Sequence, residues 1–295
     1  MKKSYAVISQ KGGTGKTTTA VSLAAGLAER EKKVLLVDAD PQMDATFVSG
    51  VDLEESDVGL SVLMEKKATP EKVIKKTGAG YDIIPADEGL VKLNKPQPLS
   101  NIIKKLSDQY DYIIVDCPPN IGDVTVQALE AVDEVIIPAV ADALSVQAFQ
   151  KIAVSIQTSQ KKNKKLKIAG ILLNRYRADL VVSKAAFSDL STLAGMYQTK
   201  VFNTTIPENT TIKEAQYSRE SLFSYGRSSK GAIAYNDFIV ELTGEKEKKG
   251  RKAEAKTNGK ETITITRRDV QSKGSRSRTR KPAAGTKTAR KTAKR

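Results

Sequence analysis

The sequence predicts an α/β protein with a mostly parallel, twisted sheet and helices on both faces. Three observations lead there. Segments such as "AVIS", "VLLV" and "YIIV" are apolar throughout rather than alternating, the pattern of strands buried on both sides. They alternate along the chain with stretches of helical apolar spacing. Each of the three also ends at a glycine loop or an aspartate, and in parallel sheets ligands lie beyond the carboxyl ends of the strands.

The elements follow in order. "SYAVIS" (4–9) is a short buried strand, and a glycine loop succeeds it. From Thr17 to Arg30, the residues Ala20, Leu23, Ala24, Leu27 and Ala28 recur at helical spacing. Val34 to Val37 form an apolar strand that runs into Asp38 and Asp40 and is closed by Pro41. Val58 to Thr77 read as two short helices broken near Pro70, and "YDIIPA" as a weak strand. "LSNIIKKLSDQY" is an amphipathic helix, and "YDYIIVDCPP" is a strand ending at Asp116 and stopped by Pro118. "DVTVQALEAV" is a helix and "DEVIIPAV" a strand. A helix from Leu144 to Ile156 follows, then strands at "KLKIAGILLNRY" and "KVFNTTIP" and a last helix from about Ser229 to Leu242.

Charge divides the chain. The formal net charge is +15 over 295 residues, yet residues 246–295 hold 19 of the 49 Lys+Arg and only 4 of the 34 Asp+Glu. That leaves 30 of each in residues 1–245, a neutral body with a basic tail. The tail has no Leu, Phe, Tyr or Met, so it lacks the apolar surface to offset the entropy of ordering and is expected to be disordered. Only "ETITITRRD" alternates like a strand, from Thr262 to Thr266. Charges of one sign, including Arg276, Arg278, Arg280, Lys281, Arg290, Lys291, Lys294 and Arg295, suit phosphate backbones and predict sequence-independent, salt-sensitive duplex binding. One cysteine, Cys117, excludes a disulfide framework or a multi-cysteine cluster within one chain, and the absence of histidine removes the commonest general base. No apolar run is long enough to span a bilayer, and the N-terminal apolar run is too short for a signal peptide. A cytoplasmic setting is expected.

The glycine loop "QKGGTGKTTT" (10–19) breaks the usual phosphate-loop pattern, which would place a glycine where Gln10 stands, and it carries a second lysine, Lys11. Gly12, Gly13 and Gly15 allow backbone amides to turn inward around anionic oxygens, and the following helix offers its positive N-terminus. Lys16 supplies a charge for terminal phosphates, and the Thr17 hydroxyl suits Mg²⁺. Asp116 at a strand end could begin a turn or cap a helix. Beside a phosphate loop it is read as holding Mg²⁺ through water. Of Asp38 and Asp40, one is expected to bond backbone amides and the other to orient the attacking water.

Together, "KGGTGKTT", "VLLVDADPQ" and "YIIVDCPP", in this order and spacing, resemble the ParA branch of the ParA/MinD family of ATPases, whose deviant phosphate loop carries an extra lysine. The resemblance covers essentially residues 1–243 and includes "TTIPENTTIKEAQ" and "SSKGAIAYNDFIVEL". It implies an ATP-binding run of Gly12, Gly13, Thr14, Gly15, Lys16, Thr17 and Thr18, with Thr17, Asp40 and Asp116 at the metal and Asp40 positioning the hydrolytic water. Lys11 is implied to reach the nucleotide of the partner subunit in an ATP-bound homodimer, and Asn174, Pro207 and Asn209 to contact the adenine. Lys213, Arg219, Arg227 and Lys230 are implied as the body's contacts to nonspecific DNA. A ParB-like partner that stimulates slow hydrolysis is implied too, with DNA segregation as the function and the nucleoid as the place. Met43 and Asp44 depart from the family's "DPQGNAT".

Other classes fit less well. A MinD-like protein acting on a membrane needs a C-terminal amphipathic helix with bulky apolar residues, which the tail lacks. A metal-cluster carrier needs paired cysteines. An architectural DNA protein with a degenerate nucleotide site would not be expected to keep Lys16, Thr17, Asp40 and Asp116.

Overall fold

The apolar strands of the sequence lie side by side in a computed structural model that describes residues 3–54, 57–93 and 96–247. The strands are β1 (Lys3–Val7), β2 (Val34–Asp38), β3 (Lys75–Lys76), β4 (Asp82–Ile84), β5 (Tyr112–Asp116), β6 (Glu134–Val140) and β7 (Lys167–Asn174). Their spatial order is β3-β4-β2-β5-β1-β6-β7, parallel except for β3. The helices in chain order are α1 (Lys16–Glu29), α2 (Asp44–Val48), α3 (Leu60–Met64), α4 (Pro70–Val73), α5 (Leu99–Leu106) and α6 (Asp123–Ala131). They continue with α7 (Ala143–Ser159), α8 (Val181–Met196), α9 (Thr210–Tyr217), α10 (Leu222–Gly226) and α11 (Lys230–Thr243).

Alternate strand residues feed two cores, one on each face. Ala6, Leu35, Ile113, Val135 and Leu173 pack with α3, α5, α6, α7 and α8. Tyr5, Leu36, Ile114, Ile136 and Leu172 pack with α1, α9, α10 and α11. Burial on both sides is why the strands read as apolar runs. On the second face α1 lies close against its neighbours, since a side chain at Gly26 would collide with Ile239 of α11 and Phe223 of α10.

The structure departs from the sequence reading in three places. The segment "KVFNTTIP" is not a strand: it makes only isolated parallel bridges, Val201 with Ile171 and Ile206 with Asn174. Its amides at Asn203 and Thr204 go instead to the Glu241 carboxylate, at 2.9 and 2.8 Å, which interrupts the ladder. The edge strand β3 is antiparallel and two residues long. Helices α2, α8, α9 and α10 lie where the sequence reading places no element. Residues 248–295, including the Thr262–Thr266 alternation and the eight basic tail positions named above, lie outside the described residues.

Phe238 of α11 is fully buried and meets Phe202 edge-on, with ring centres 5.1 Å apart. Phe238→Ala is expected to lower stability by about 3–5 kcal/mol. Urea unfolding measures it, and a loss below about 1 kcal/mol would place α11 outside the cooperative core.

Candidate functional site

The chain leaves β1 through α1 on one face and β5 through α6 on the other. A crevice therefore opens between these adjacent strands at their carboxyl ends. Register fixes what stands there: Asp116 is paired with Val7 on one side and with Asp38 on the other. The glycine loop follows β1, so the loop and two aspartates share one short stretch of sheet edge.

The loop's shape depends on Gly15, whose φ of 89° lies in the left-handed region. A Cβ there would fall 2.5 Å from Asn174 Nδ2. That same nitrogen donates to the Thr14 carbonyl at 2.6 Å, which ties the end of β7 to the loop. The N-terminus of α1 has no side-chain cap and no acidic residue in its first turn, so its amides are left for an anion. Lys16, the first residue of α1, is buried beside them.

The three aspartates have different environments. Asp38 is fully buried and accepts from the Asp40 amide at 3.1 Å and from the Thr46 amide and hydroxyl at 2.8 and 2.7 Å. Burial pushes its pKa up to about 6, against the pull of those three donors. Two of its three donors are backbone amides. Asp40 is also buried and accepts from the Gln42 amide at 3.0 Å. Asp116 is wholly buried, and neither oxygen makes a well-formed hydrogen bond. Burial and the charges of Asp38 and Asp40 hold its pKa well above the carboxylate range, and the Thr17 hydroxyl and Lys16 offset this only in part. A buried carboxylate left this way fits a cation bound against Thr17. Among the described residues no group of three or more Cys, Asp or Glu could hold a metal alone, so the ion's remaining ligands would have to come from phosphate and water.

Met43 holds the left-handed φ of 58° that glycine favours, so the backbone turn into α2 survives without a glycine. Partial burial and the Asp40 charge raise the Asp44 carboxyl above its usual range.

Lys11 is held within its own chain. Its Nζ pairs with Asp142 Oδ2, and both side chains are about one-third exposed. The other oxygen of Asp142 accepts from the Ser145 amide at 2.9 Å and caps α7. Burial raises the Asp142 pKa, but Lys11 and Ser145 together bring it below its ordinary value. Sequence reasoning missed Asp142. Its only sequence signal is its place just beyond the end of β6, on the same edge as the loop.

Beside the loop lies a cavity of about 170 Å³ lined by Thr14, Gly15, Thr18, Asn174, Pro207, Asn209, Gln216 and Tyr235, among others. The Oδ1 atoms of Asn174 and Asn209 are buried without partners. All three residues anticipated at a base thus line one cavity. The anticipated body cations diverge. Lys213 is exposed at the rim of this cavity and Lys230 is exposed at the start of α11. Arg227 pairs with Glu29 at 2.5 Å and Glu247 at 3.4 Å, and Arg219 is turned onto α2.

A family model described as an AAA domain matches residues 2–168. The chromosome-partitioning ATPase Soj of Treponema pallidum is 33% identical over 254 residues, covering 82% of this chain and 97% of that protein. The chromosome partitioning protein ParA of Myxococcus xanthus is 32% identical over 241 residues, covering 78% and 83%. The septum site-determining protein MinD of Pyrococcus horikoshii, complexed with Mg-ADP, shares the fold with a TM-score of 0.70 and 27% identity over 82% of this chain and 96% of that one. With its double-lysine loop, its row of strand-end aspartates and these relatives, the chain belongs to the ParA/MinD family of P-loop ATPases, as a ParA-type member.

Proposed function

We propose that this protein is an Mg²⁺-dependent ATPase that dimerises around ATP, binds duplex DNA without sequence preference and partitions a DNA cargo with a ParB-like partner. The observation that carries the nucleotide part is Asp116, a buried carboxylate with no well-formed hydrogen bond, next to Lys16 and Thr17 at the foot of an uncapped helix. The Mg-ADP complex of MinD and the partitioning relatives support it.

In this reading the loop amides and Lys16 hold the phosphates, and Thr17 and Asp116 would hold Mg²⁺, which would supply positive charge against the phosphates. Asp40, oriented through Asp38, positions the attacking water. The free amide oxygens of Asn174 and Asn209 suit a base that donates hydrogen bonds, as adenine does through its 6-amino group. Lys11 leaves Asp142 to meet the nucleotide of a second subunit. DNA binding rests on the basic tail and on exposed Lys213 and Lys230. A cargo-positioning role on a membrane or protein assembly is the second reading, drawn from the MinD likeness. ATP-dependent sedimentation with anionic vesicles in place of DNA would favour it.

Three outcomes are expected. Lys11→Ala should still bind ATP but stay monomeric in light scattering, and a normal ATP-dependent dimer would refute its role across subunits. Asp116→Asn should raise the Mg²⁺ concentration for half-maximal hydrolysis by about tenfold or more, and an unchanged Mg²⁺ titration would remove Asp116 from the metal. Deleting residues 246–295 should weaken duplex DNA binding and flatten its dependence on salt, whereas an unaltered salt slope would leave the tail without a DNA role.

A further inference from the structure

Arg219 stands in the turn between α9 and α10 with a left-handed φ of 56°. Its side chain is only 25% exposed. Nε donates to the Phe47 carbonyl at 2.9 Å, Nη1 pairs with Asp52 at 2.7 Å, and the guanidinium lies 4.8 Å from the centre of the Phe47 ring. Nη2 is buried without a hydrogen-bond partner. The backbone closes in as well, since a Cβ at Gly50 would come within 3.3 Å of the Arg219 carbonyl.

These contacts fall on α2 and the turn that follows it. A five-residue helix cannot hold itself, and its Phe47 carbonyl accepts from Arg219 in addition to the Gly50 amide at 3.0 Å. Its N-terminal half is fixed by Thr46 on Asp38. Its C-terminal end is fixed by Arg219. Asp52 is mostly exposed, so that ion pair contributes little, and the planar fork on the Phe47 carbonyl and ring contributes more. The segment held at both ends leads back directly to Asp40, whose carbonyl accepts from the Met43 amide at 2.9 Å.

We propose that Arg219 is a positioning residue for hydrolysis: it clamps the C-terminal end of α2, keeps Asp40 at the phosphate edge, and joins that segment to α9. Helix α9 starts next to Asn209 in the adjoining cavity, so the clamp connects the base side of the site to the water side. The inference rests on the ATPase reading above.

The left-handed backbone permits a clean truncation, because glycine takes φ > 0 without strain. Arg219→Gly removes the fork, and Arg219→Lys keeps the charge while losing the planar geometry. ATP turnover is measured without DNA for the wild type, both variants and Lys16→Ala. A DNA contact would not register in this assay. Both Arg219 variants are expected to lose about tenfold in kcat, with KM for ATP within about twofold of wild type. Their thermal midpoints should stay well above the assay temperature. Should the glycine variant fold poorly, the lysine variant carries the same comparison. A kcat within about twofold of wild type in the lysine variant overturns the clamp, as does a lowered midpoint with unchanged kcat. Wild-type turnover no higher than that of Lys16→Ala would overturn the ATPase reading itself, and the clamp with it.

Discussion

The buried Asp38 carboxylate accepts from the Asp40 amide and from both donors of Thr46, and the other features of the phosphate edge are arranged around it. A charge at that depth is tolerated only with hydrogen bonds of this kind. Thr46 can supply two of them only because the chain doubles back through the left-handed Met43 into α2. Its hydroxyl in turn accepts from the Ala86 amide at 3.1 Å, which attaches the exit of β4 to the same point. The parallel register then sets Asp116 alongside, where burial raises the pKa of both carboxyls and the Asp38 charge raises that of Asp116 further. The edge is thus strained electrostatically in a direction that positive charge relieves. Lys16 supplies part of it, and a divalent ion bound against Thr17 would supply the rest.

The central strands were legible because each is apolar on both faces and stops at a residue that chemistry requires. The phosphate loop was legible from its Gly-Lys-Thr run and Asp116 from its strand end, whereas Asp38 and Asp40 were told apart, and Asn174, Pro207 and Asn209 brought forward, only through the family resemblance. Helix α8 was hidden because its buried stripe is Ser183, Ala186, Leu190 and Ala194, while Val181, Val182 and Met196 face solvent. An apolar count points the wrong way there. "KVFNTTIP" looked like a strand because its composition is strand-like. The diversion of its amides to Glu241 depends on a helix that begins more than twenty residues later. Asp142 was missed for the same physical reason, since its partner Lys11 is 131 positions away.

Basic residues illustrate a second limit. Lys213, Arg219, Arg227 and Lys230 look alike in the sequence, yet their surroundings differ. Arg227 is spent on Glu29 and Glu247, and Arg219 on a backbone carbonyl, an aromatic ring and Asp52. A planar fork finds acceptors within the body, whereas the two lysines remain at the surface. Charge counts describe the partner a surface can attract, and geometry decides which cations are left to attract it.

Asp142 divides its two oxygens between different tasks, one for Lys11 and one for the Ser145 amide. The lysine can therefore depart without uncapping α7, and a partly exposed pair of this kind costs only about 0–1 kcal/mol to open. In the proposed dimer the residue would act as a holster: it keeps Lys11 folded against its own subunit, and it would stay structurally whole once that cation is drawn.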